Sequence, residues 1–388
     1  MSIVQSLLVA ILALELLIYV IVSSSKGIRE KIKNKGITLY PFLFLIDLGK
    51  MPRIKLKKGM KGVLYLLVML GAANFVFLLY MFYSTLIPSI LSFLNTLTKG
   101  GGEVVSPFIP IVPGITVGLE QFIYIVLALS VGIALHEIFH ALAAYLAGWR
   151  VESWGLGLFF IFPLAYVRPN EEDYNKAGLK SKTAVLTAGV LANTMLFLIA
   201  MVLIPLAFSQ INTAVVIISL DYNDVTAPAV KASIPAPSIL IAINDTEVSS
   251  VKDLRNFLMS YANMSVTYVV KLRKARIVGD VVKPVSDIIK FVLHKPKGRW
   301  RLGIIVSELP LEGVSPLLIK ISRFLYWFYI VNISLAVINA APLYITDGGR
   351  LVSELLKKLK LEFLNHLVQG ITVFFVITFL VIGLLKFL

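Results

Sequence analysis

The chain has 388 residues, of which 58% are hydrophobic and only 15% are charged, and its mean hydropathy is +0.86. This composition excludes an ordinary soluble enzyme and predicts several membrane spans. The net charge is +15, but the basic residues cluster at the ends of apolar runs and no nucleic-acid-binding motif is present, so they indicate membrane topology. Because the chain has no cysteine, any metal must be bound by histidine and carboxylate.

The first part of the chain predicts two spans that are separated by a basic loop. Ile3 to Val22 is long enough to cross a bilayer, and Gly62 to about Leu91 forms the second span. The loop from Lys26 to Lys61 carries eleven basic residues against two acidic ones, which predicts a cytoplasmic loop and an external N-terminus. Within the loop, Tyr40 to Leu48 is apolar but too short to span, so we expect it in the interface or packed against the helices.

The third span, Gly118 to Trp149, contains the sequence His136-Glu137-Ile138-Phe139-His140. Two histidines four positions apart lie on one face of a helix, one turn above the other. This spacing predicts that both imidazoles bind one Zn²⁺, with Glu137 beside the metal as the general base. The alternative is a helix with two core histidines that bond to neighbouring carbonyls. Ionisable groups inside a membrane are costly and usually mark a site, which favours the metal.

The middle of the chain predicts three different elements. Gly155 to Pro169 is apolar, aromatic and punctuated by glycine and proline, which favours a short membrane-associated β-hairpin. The fourth span, Thr183 to Phe208, contains Asn193. Residues 209–315 have the composition of a soluble α+β domain, with an amphipathic helix at Val251 to Ser260. Alternating topology places this domain outside, together with both termini.

Arg323 to about Pro342 is the fifth predicted span, and the sixth runs from about Leu367 to Leu388. The predicted fold is therefore a membrane α-helical bundle of about six transmembrane helices, with a short β-hairpin and one inserted soluble domain. Its expected divisions are residues 1–208, 209–315 and 316–388.

A third metal ligand is needed, because catalytic zinc usually has three protein ligands and one water. Asp347 is the best candidate among the carboxylates, since it follows a span that carries Asn339 and Pro342. Pro342 would break that helix and free backbone to line a cavity.

Three polar positions lie at nearly the same distance from the nearest inner basic residue: His140 is ten positions from Arg150, Asn193 eleven from Lys182 and Asn339 eleven from Arg350. At ~1.5 Å per residue, all three lie roughly 15 Å from the cytoplasmic boundary. This shared depth predicts one site toward the cytoplasmic side. The alternative for each asparagine is a hydrogen bond from helix to helix.

The HEIFH of the third span, the GVLAN of the fourth and the later N-x-x-P-x-x-x-x-D-G segment resemble the site-2 protease family of intramembrane zinc metalloproteases. The resemblance covers the chain from about Gly118 to Arg350, and Thr346 departs from the leucine that the family more often has before Asp-Gly. The resemblance implies these roles: His136, His140 and Asp347 bind zinc, Glu137 activates the water, and Asn193, Asn339 and Pro342 hold the substrate or its oxyanion.

The family resemblance also implies regulated intramembrane proteolysis in a multi-pass protein of the cell membrane, with Zn²⁺ as the cofactor and membrane-spanning proteins as substrates. We expect the Gly155 to Pro169 hairpin to hold an unwound substrate by edge pairing. A competing interpretation is another kind of membrane zincin, whose third ligand would come from a downstream Glu-x-x-x-Asp motif. Glu354 has no aspartate at the position that this motif requires, which argues against it. A metal transporter and a non-proteolytic module that binds membrane proteins are the competing interpretations from different functional classes.

Residues 209–315 resemble the PDZ domains of the same family in the order of a small-residue turn, a strand and a helix. Pro235 to Ser238 departs from the usual Gly-Asp, and the insert from Arg276 to Arg299 is long. The resemblance implies a peptide ligand for this PDZ-like domain. The competing expectation, which the Pro235 to Ser238 departure favours, is that the domain excludes substrates with bulky external parts.

Overall fold

The computed structural model describes residues 3–51, 61–100 and 104–387. Contacts divide the chain into two compact units, which are Met1–Val202 with Phe324–Leu388, and Leu203–Arg323. The second unit therefore extends at both ends beyond the 209–315 that composition indicates. Residues 52–60 of the basic loop, with several of the lysines and one of the two arginines that predict topology, lie outside the described residues.

Six helices of the described chain are long and apolar enough to cross a membrane, as hydropathy predicts. Five of them begin earlier or end later than the predicted spans, because hydropathy marks the most apolar stretch and the helix continues into the residues that flank it. In chain order the helices are α1 (Ile3–Ser24), α2 (Lys26–Asn34), α3 (Lys61–Lys99), α4 (Leu119–Leu146), α5 (Glu171–Lys176), α6 (Leu179–Phe208), α7 (Pro228–Lys231), α8 (Val251–Ser260), α9 (Pro316–Ala340), α10 (Asp347–Lys358) and α11 (Phe363–Leu385). The membrane-length helices are α1, α3, α4, α6, α9 and α11.

The hairpin expected near residues 155–169 belongs to a larger antiparallel sheet in the first unit. Its strands, in spatial order, are β1 (Ile37–Tyr40), β2 (Leu43–Asp47), β3 (Val151–Phe159) and β4 (Phe162–Pro169). The apolar segment Tyr40 to Leu48 is therefore mostly strand and not a simple interfacial stretch. Gly155 and Gly157 of β3 allow this pairing, because a Cβ at either position would overlap with backbone oxygens of β2. Strand β4 lies at the edge of the sheet and packs beside α4.

The second unit is built on a twisted antiparallel sheet. Its strands are β5 (Thr213–Leu220), β6 (Ser238–Ile243), β7 (Thr246–Glu247), β8 (Val266–Val278), β9 (Val281–Pro284), β10 (Ile289–Lys295) and β11 (Ile304–Pro310). The spatial order is β10-β8-β6-β5-β11, while β7 pairs with β6 and β9 with β8. Helix α8, at the predicted position, buries Leu254 and Leu258 in the core of this unit.

The break predicted near Pro342 occurs where α9 ends at Ala340. A short turn follows, and α10 then begins at Asp347, with Thr346 as its N-cap. Helix α10 was not foreseen in the sequence, although its first turn combines a threonine cap with an acidic residue, which is a common helix start. The turn brings Asp347 back toward α4.

Candidate metal centre

The two histidines of the third span project from one face of α4. His136 and His140 are buried, with 7% and 8% of their surface exposed, and their Nε2 atoms lie 3.0 Å apart. The spacing of four residues along the helix is the reason for this approach, because it stacks side chains on successive turns.

Asp347 reaches the same point from the first turn of α10. Its Oδ2 atom lies 3.0 Å from Nε2 of His136 and 3.0 Å from Nε2 of His140. The side chain of Thr346 accepts a hydrogen bond from the Gly349 N–H at 3.1 Å and donates one to the Ala341 carbonyl at 2.6 Å. These two bonds fix the start of α10 on the turn that leaves α9, and they therefore fix the position of the carboxylate.

The other ring nitrogens of the histidines are engaged by α6. Nδ1 of His140 lies 2.6 Å from the carbonyl oxygen of Val185, which can only accept, so this nitrogen carries the proton. Nδ1 of His136 lies 2.6 Å from Oδ1 of Asn193. The orientation of that amide is set by its Nδ2 group, which donates to the carbonyl of Gly132 at 3.1 Å. Both Nε2 atoms are consequently left with a lone pair that points toward Asp347.

The residues fit a zinc ion. Two unprotonated imidazole nitrogens and a carboxylate oxygen converge, and these acceptors would repel one another unless a cation lay between them. Their 3.0 Å separations are close to the ~3.4 Å between ligands of a tetrahedral zinc with bonds of ~2.1 Å. Two histidines, one carboxylate and one open position make up a donor set that catalytic zinc commonly uses.

Gly189 of α6 provides the flat surface against which both imidazoles lie. A Cβ at this position would approach Nε2 of His140 to 2.5 Å and Nε2 of His136 to 2.6 Å. Only glycine therefore leaves space for the two rings and for an ion between them. This glycine is the first residue of the GVLAN segment.

Glu137 lies beside the converging His136, His140 and Asp347 but does not belong to that group. Its Oε2 atom accepts a hydrogen bond from the backbone N–H of Val167 in β4 at 2.8 Å. The carboxylate is thereby held between the histidine helix and the edge strand of the sheet.

A cavity of about 920 Å³ opens onto these groups. It is lined by the two histidines, Glu137 and Asp347, by Asn339 of α9 and by the edge of β4 from Leu164 to Pro169. A reacting group and an extended chain can therefore share one space.

The three other predicted site residues differ in their placement. Asn339 lines the cavity, as a substrate contact requires. Asn193 is fully buried, and its amide is occupied by His136, Gly132 and Asn332, so it supports His136 and does not line the cavity. Pro342 lies in the turn after α9 and is not among the cavity-lining residues.

Asn332 is a buried polar residue at this centre that sequence reasoning missed. Its Oδ1 accepts a hydrogen bond from Nδ2 of Asn193 at 3.0 Å, and the residue is fully buried. The available signal was its spacing, because Asn332 lies seven residues before Asn339 and therefore about two turns away on α9.

Helix α5 follows β4 and lines the cavity beside this strand, and Arg150 holds it in place. The guanidinium donates to both carboxylate oxygens of Asp173, at 2.8 and 2.9 Å, and to Oδ1 of Asn170 at 2.8 Å. The hydrogen bonds from Arg150 lower the pKa of Asp173 to about 2. The end of β4 and the following helix are thus tied to the C-terminal end of α4 at any pH near neutrality.

Comparison with known proteins agrees with this centre. The model of a sequence family described as Peptidase family M50 matches residues 124–383, which is more than half of the chain and includes every predicted site residue. An uncharacterized protein of Methanocaldococcus jannaschii is 28% identical over 269 residues, a match that covers 69% of this chain but 64% of that protein. The chain thus spans less than two thirds of the length of this relative. The chain belongs to peptidase family M50, the site-2 protease family, and six of its described helices are long and apolar enough to cross a membrane.

Proposed function

We propose that this protein is a zinc-dependent intramembrane endopeptidase that cleaves a transmembrane segment of a membrane-anchored substrate, as in regulated intramembrane proteolysis. The observation that carries the proposal is the convergence of His136, His140 and Asp347 on one point, with Glu137 beside them in the same cavity. The first two belong to a helix that is long and apolar enough to cross a membrane. Substrates that never enter a bilayer would not require this setting.

His136, His140 and Asp347 would hold the ion, which when bound supplies a water of lowered pKa and a Lewis acid for the scissile carbonyl. Glu137 accepts the proton of the attacking water and passes it to the leaving amine. The bond from Val167 to Oε2 keeps the carboxylate oriented while its other oxygen exchanges the proton.

The supporting residues divide into two groups. Asn339 lines the cavity, so its amide is the candidate donor to the oxyanion of the reacting carbonyl. Asn193 acts through His136, because its amide is already occupied by buried partners. Pro342 acts by ending α9, so that the next turn delivers Asp347.

The free edge of β4 is the proposed binding site for the unwound substrate. The Val167 N–H bonds to Glu137 and not to β3, so Val167 faces away from the sheet. Backbone groups alternate along an antiparallel strand, and Ala165 therefore presents its N–H and carbonyl on that same free side. Ala165 and Val167 both line the cavity, so a chain that pairs with this edge passes the candidate base.

The distribution of basic residues supports a multi-pass orientation with both termini and the soluble domain outside and the active site toward the cytoplasm. The bilayer is then a partner of the apolar helix faces, and membrane-spanning proteins are the substrates. Nucleic acid is not an expected partner.

The soluble unit offers a groove that suits an extended peptide, as the PDZ-like resemblance implies. A cavity of about 710 Å³ lies between α8 and the edge strand β11, and its charged lining residues are Arg255, Arg301, Asp221 and Asp224. The departing segment Pro235 to Ser238 does not line this cavity. Peptide capture therefore stands beside size exclusion as a role for this unit.

The metal transporter and the non-proteolytic binder are less well supported. A transporter needs polar groups distributed across the membrane, whereas the described cluster gathers at one point. A silent binder has no use for a carboxylate placed beside a complete ligand set.

The test is cleavage of a single-span substrate by detergent-purified protein. We expect about one zinc per chain, cleavage that stops with chelator, and recovery on zinc addition. Glu137→Gln should retain the zinc but lose at least about 100-fold in rate, because only the proton acceptor is removed. Normal cleavage by Glu137→Gln, or full zinc content in a His136→Ala/His140→Ala variant, would contradict these roles.

A further inference from the structure

Helix α10 is held at a second point beyond Asp347. Glu354 lies seven residues further along, about two turns away on the same helix. Its Oε2 accepts from Nζ of Lys182 on α6 at 2.8 Å, and its Oε1 accepts from the hydroxyl of Tyr174 on α5 at 3.0 Å. Both carboxylate oxygens are thus engaged by separate helices.

The three side chains also pack on one another. Nζ of Lys182 lies 4.6 Å from the centre of the Tyr174 ring, a cation–π distance. The side chains of Lys182 and Glu354 are only 10% and 20% exposed. Burial, followed by the adjacent Glu354 carboxylate, raises the pKa of Tyr174, so its hydroxyl remains a donor. Removing one partner of such a pair leaves a charge without compensation, whereas an exposed pair contributes little.

Lys182 lies on the same face of α6 as the residues that contact His136 and His140. Lys182, Val185, Gly189 and Asn193 are spaced by three, four and four residues, which aligns them on a helix. Val185 bonds to His140, Gly189 lies against both imidazoles, and Asn193 bonds to His136. Lys182 completes this face by binding the helix that supplies the third ligand.

We propose that Lys182, Glu354 and Tyr174 form a positioning site that sets α10, and with it Asp347, against the two histidines. The inference rests on the proposed metal centre and extends it, because it assigns function to an ion pair that touches neither metal nor substrate. Tying all three ligands to one face of α6 keeps their separations fixed when substrate enters the neighbouring cavity.

The test is the affinity of the full-length protein for zinc in detergent, together with the visible spectrum of its cobalt form. Glu354→Gln and Lys182→Met should each weaken zinc binding by about 10-fold and alter the cobalt spectrum, since outer partners of ligands have effects of this order. Lys182→Arg retains the charge and should restore near-normal affinity. The matched control is Lys176→Met, which breaks the exposed ion pair with Glu172 and should leave the affinity unchanged.

Tyr174→Phe tests the positioning role if Glu354→Gln does not fold, because it removes one hydrogen bond and retains the ring. We expect this variant to bind zinc about 3-fold more weakly. Affinities within 2-fold of the wild type and unchanged cobalt spectra in the folded variants would overturn the positioning role. Failure of the wild-type protein to bind zinc would instead overturn the proposed metal centre itself, so the two failures are distinguishable.

Discussion

At the scale of single residues, the centre depends on a glycine that leaves space as much as on the side chains that converge there. Gly189 leaves the space that the two imidazoles fill, and the carbonyl of Val185 and the amide of Asn193 then decide which ring nitrogen of each histidine is free. Without these hydrogen-bond partners, nothing would fix which ring nitrogen of each histidine carries the proton.

Gly189→Ala should therefore abolish or strongly weaken zinc binding, because its Cβ would fall 2.5 to 2.6 Å from both Nε2 atoms. Gly178→Ala is the matched control, since a Cβ at Gly178 meets no atom within 4 Å and that variant should bind zinc normally. Zinc content after gel filtration checks both. Equal zinc content in the two variants would show that Gly189 does not limit the site.

The sequence predicted which side chains converge better than it predicted the residues that support them. His136 and His140 are a local signal, because four residues on a helix make one turn. Asp347 was found from its position after a helix-breaking proline, which is also local. The partners of Asn193 were not predictable, because Asn332 and Gly132 lie on two other helices and only packing brings them together.

At the scale of elements, β4 joins Glu137, the proposed general base, to the proposed substrate edge. Its hairpin with β3 was predictable from glycine, proline and aromatic residues, whereas β1 and β2 were missed as strands. Strand β2 pairs with β3 across more than one hundred residues of chain, so no local pattern marks it. Helix α10 was missed for a different reason, because its 12 residues are too few for a membrane span and only its cap marks the start.

Proline substitutions on β4 separate the two roles of this strand. Val167→Pro removes the N–H that orients Glu137 and should reduce the maximal rate while leaving substrate affinity nearly unchanged. Ala165→Pro removes an N–H that faces the substrate and should mainly raise KM. Steady-state kinetics on one single-span substrate checks both variants. Identical effects on kcat and KM would contradict this division.

At the scale of the whole molecule, a β-rich unit follows the helix that carries Asn193 and precedes Asn339 in the chain. Composition predicted its existence and the amphipathic helix α8. It did not predict the groove between α8 and β11, because strand β11 follows α8 by more than forty residues. The groove is the basis of the proposed peptide binding, since an edge strand beside a helix can accept an extended peptide by strand addition.

Two variants distinguish capture from exclusion by this unit. Arg255→Glu/Arg301→Glu makes the groove negative, because Asp221 and Asp224 then lack the balancing arginines. We expect it to slow cleavage of a shortened substrate with a free external carboxylate by several-fold, because like charges repel. Lys290→Glu/Lys297→Glu makes the same charge change on exposed residues that do not line the groove, and it should have no effect.

Deletion of Ser209 to Ser315 with a short linker tests exclusion: full-length substrates should then be cut if the unit blocks them. The unit selects by size alone if the Arg255→Glu/Arg301→Glu variant cuts the shortened substrate normally and the deletion variant cuts full-length substrates. Slower cleavage of the shortened substrate by the Arg255→Glu/Arg301→Glu variant would instead assign the unit a peptide-binding role.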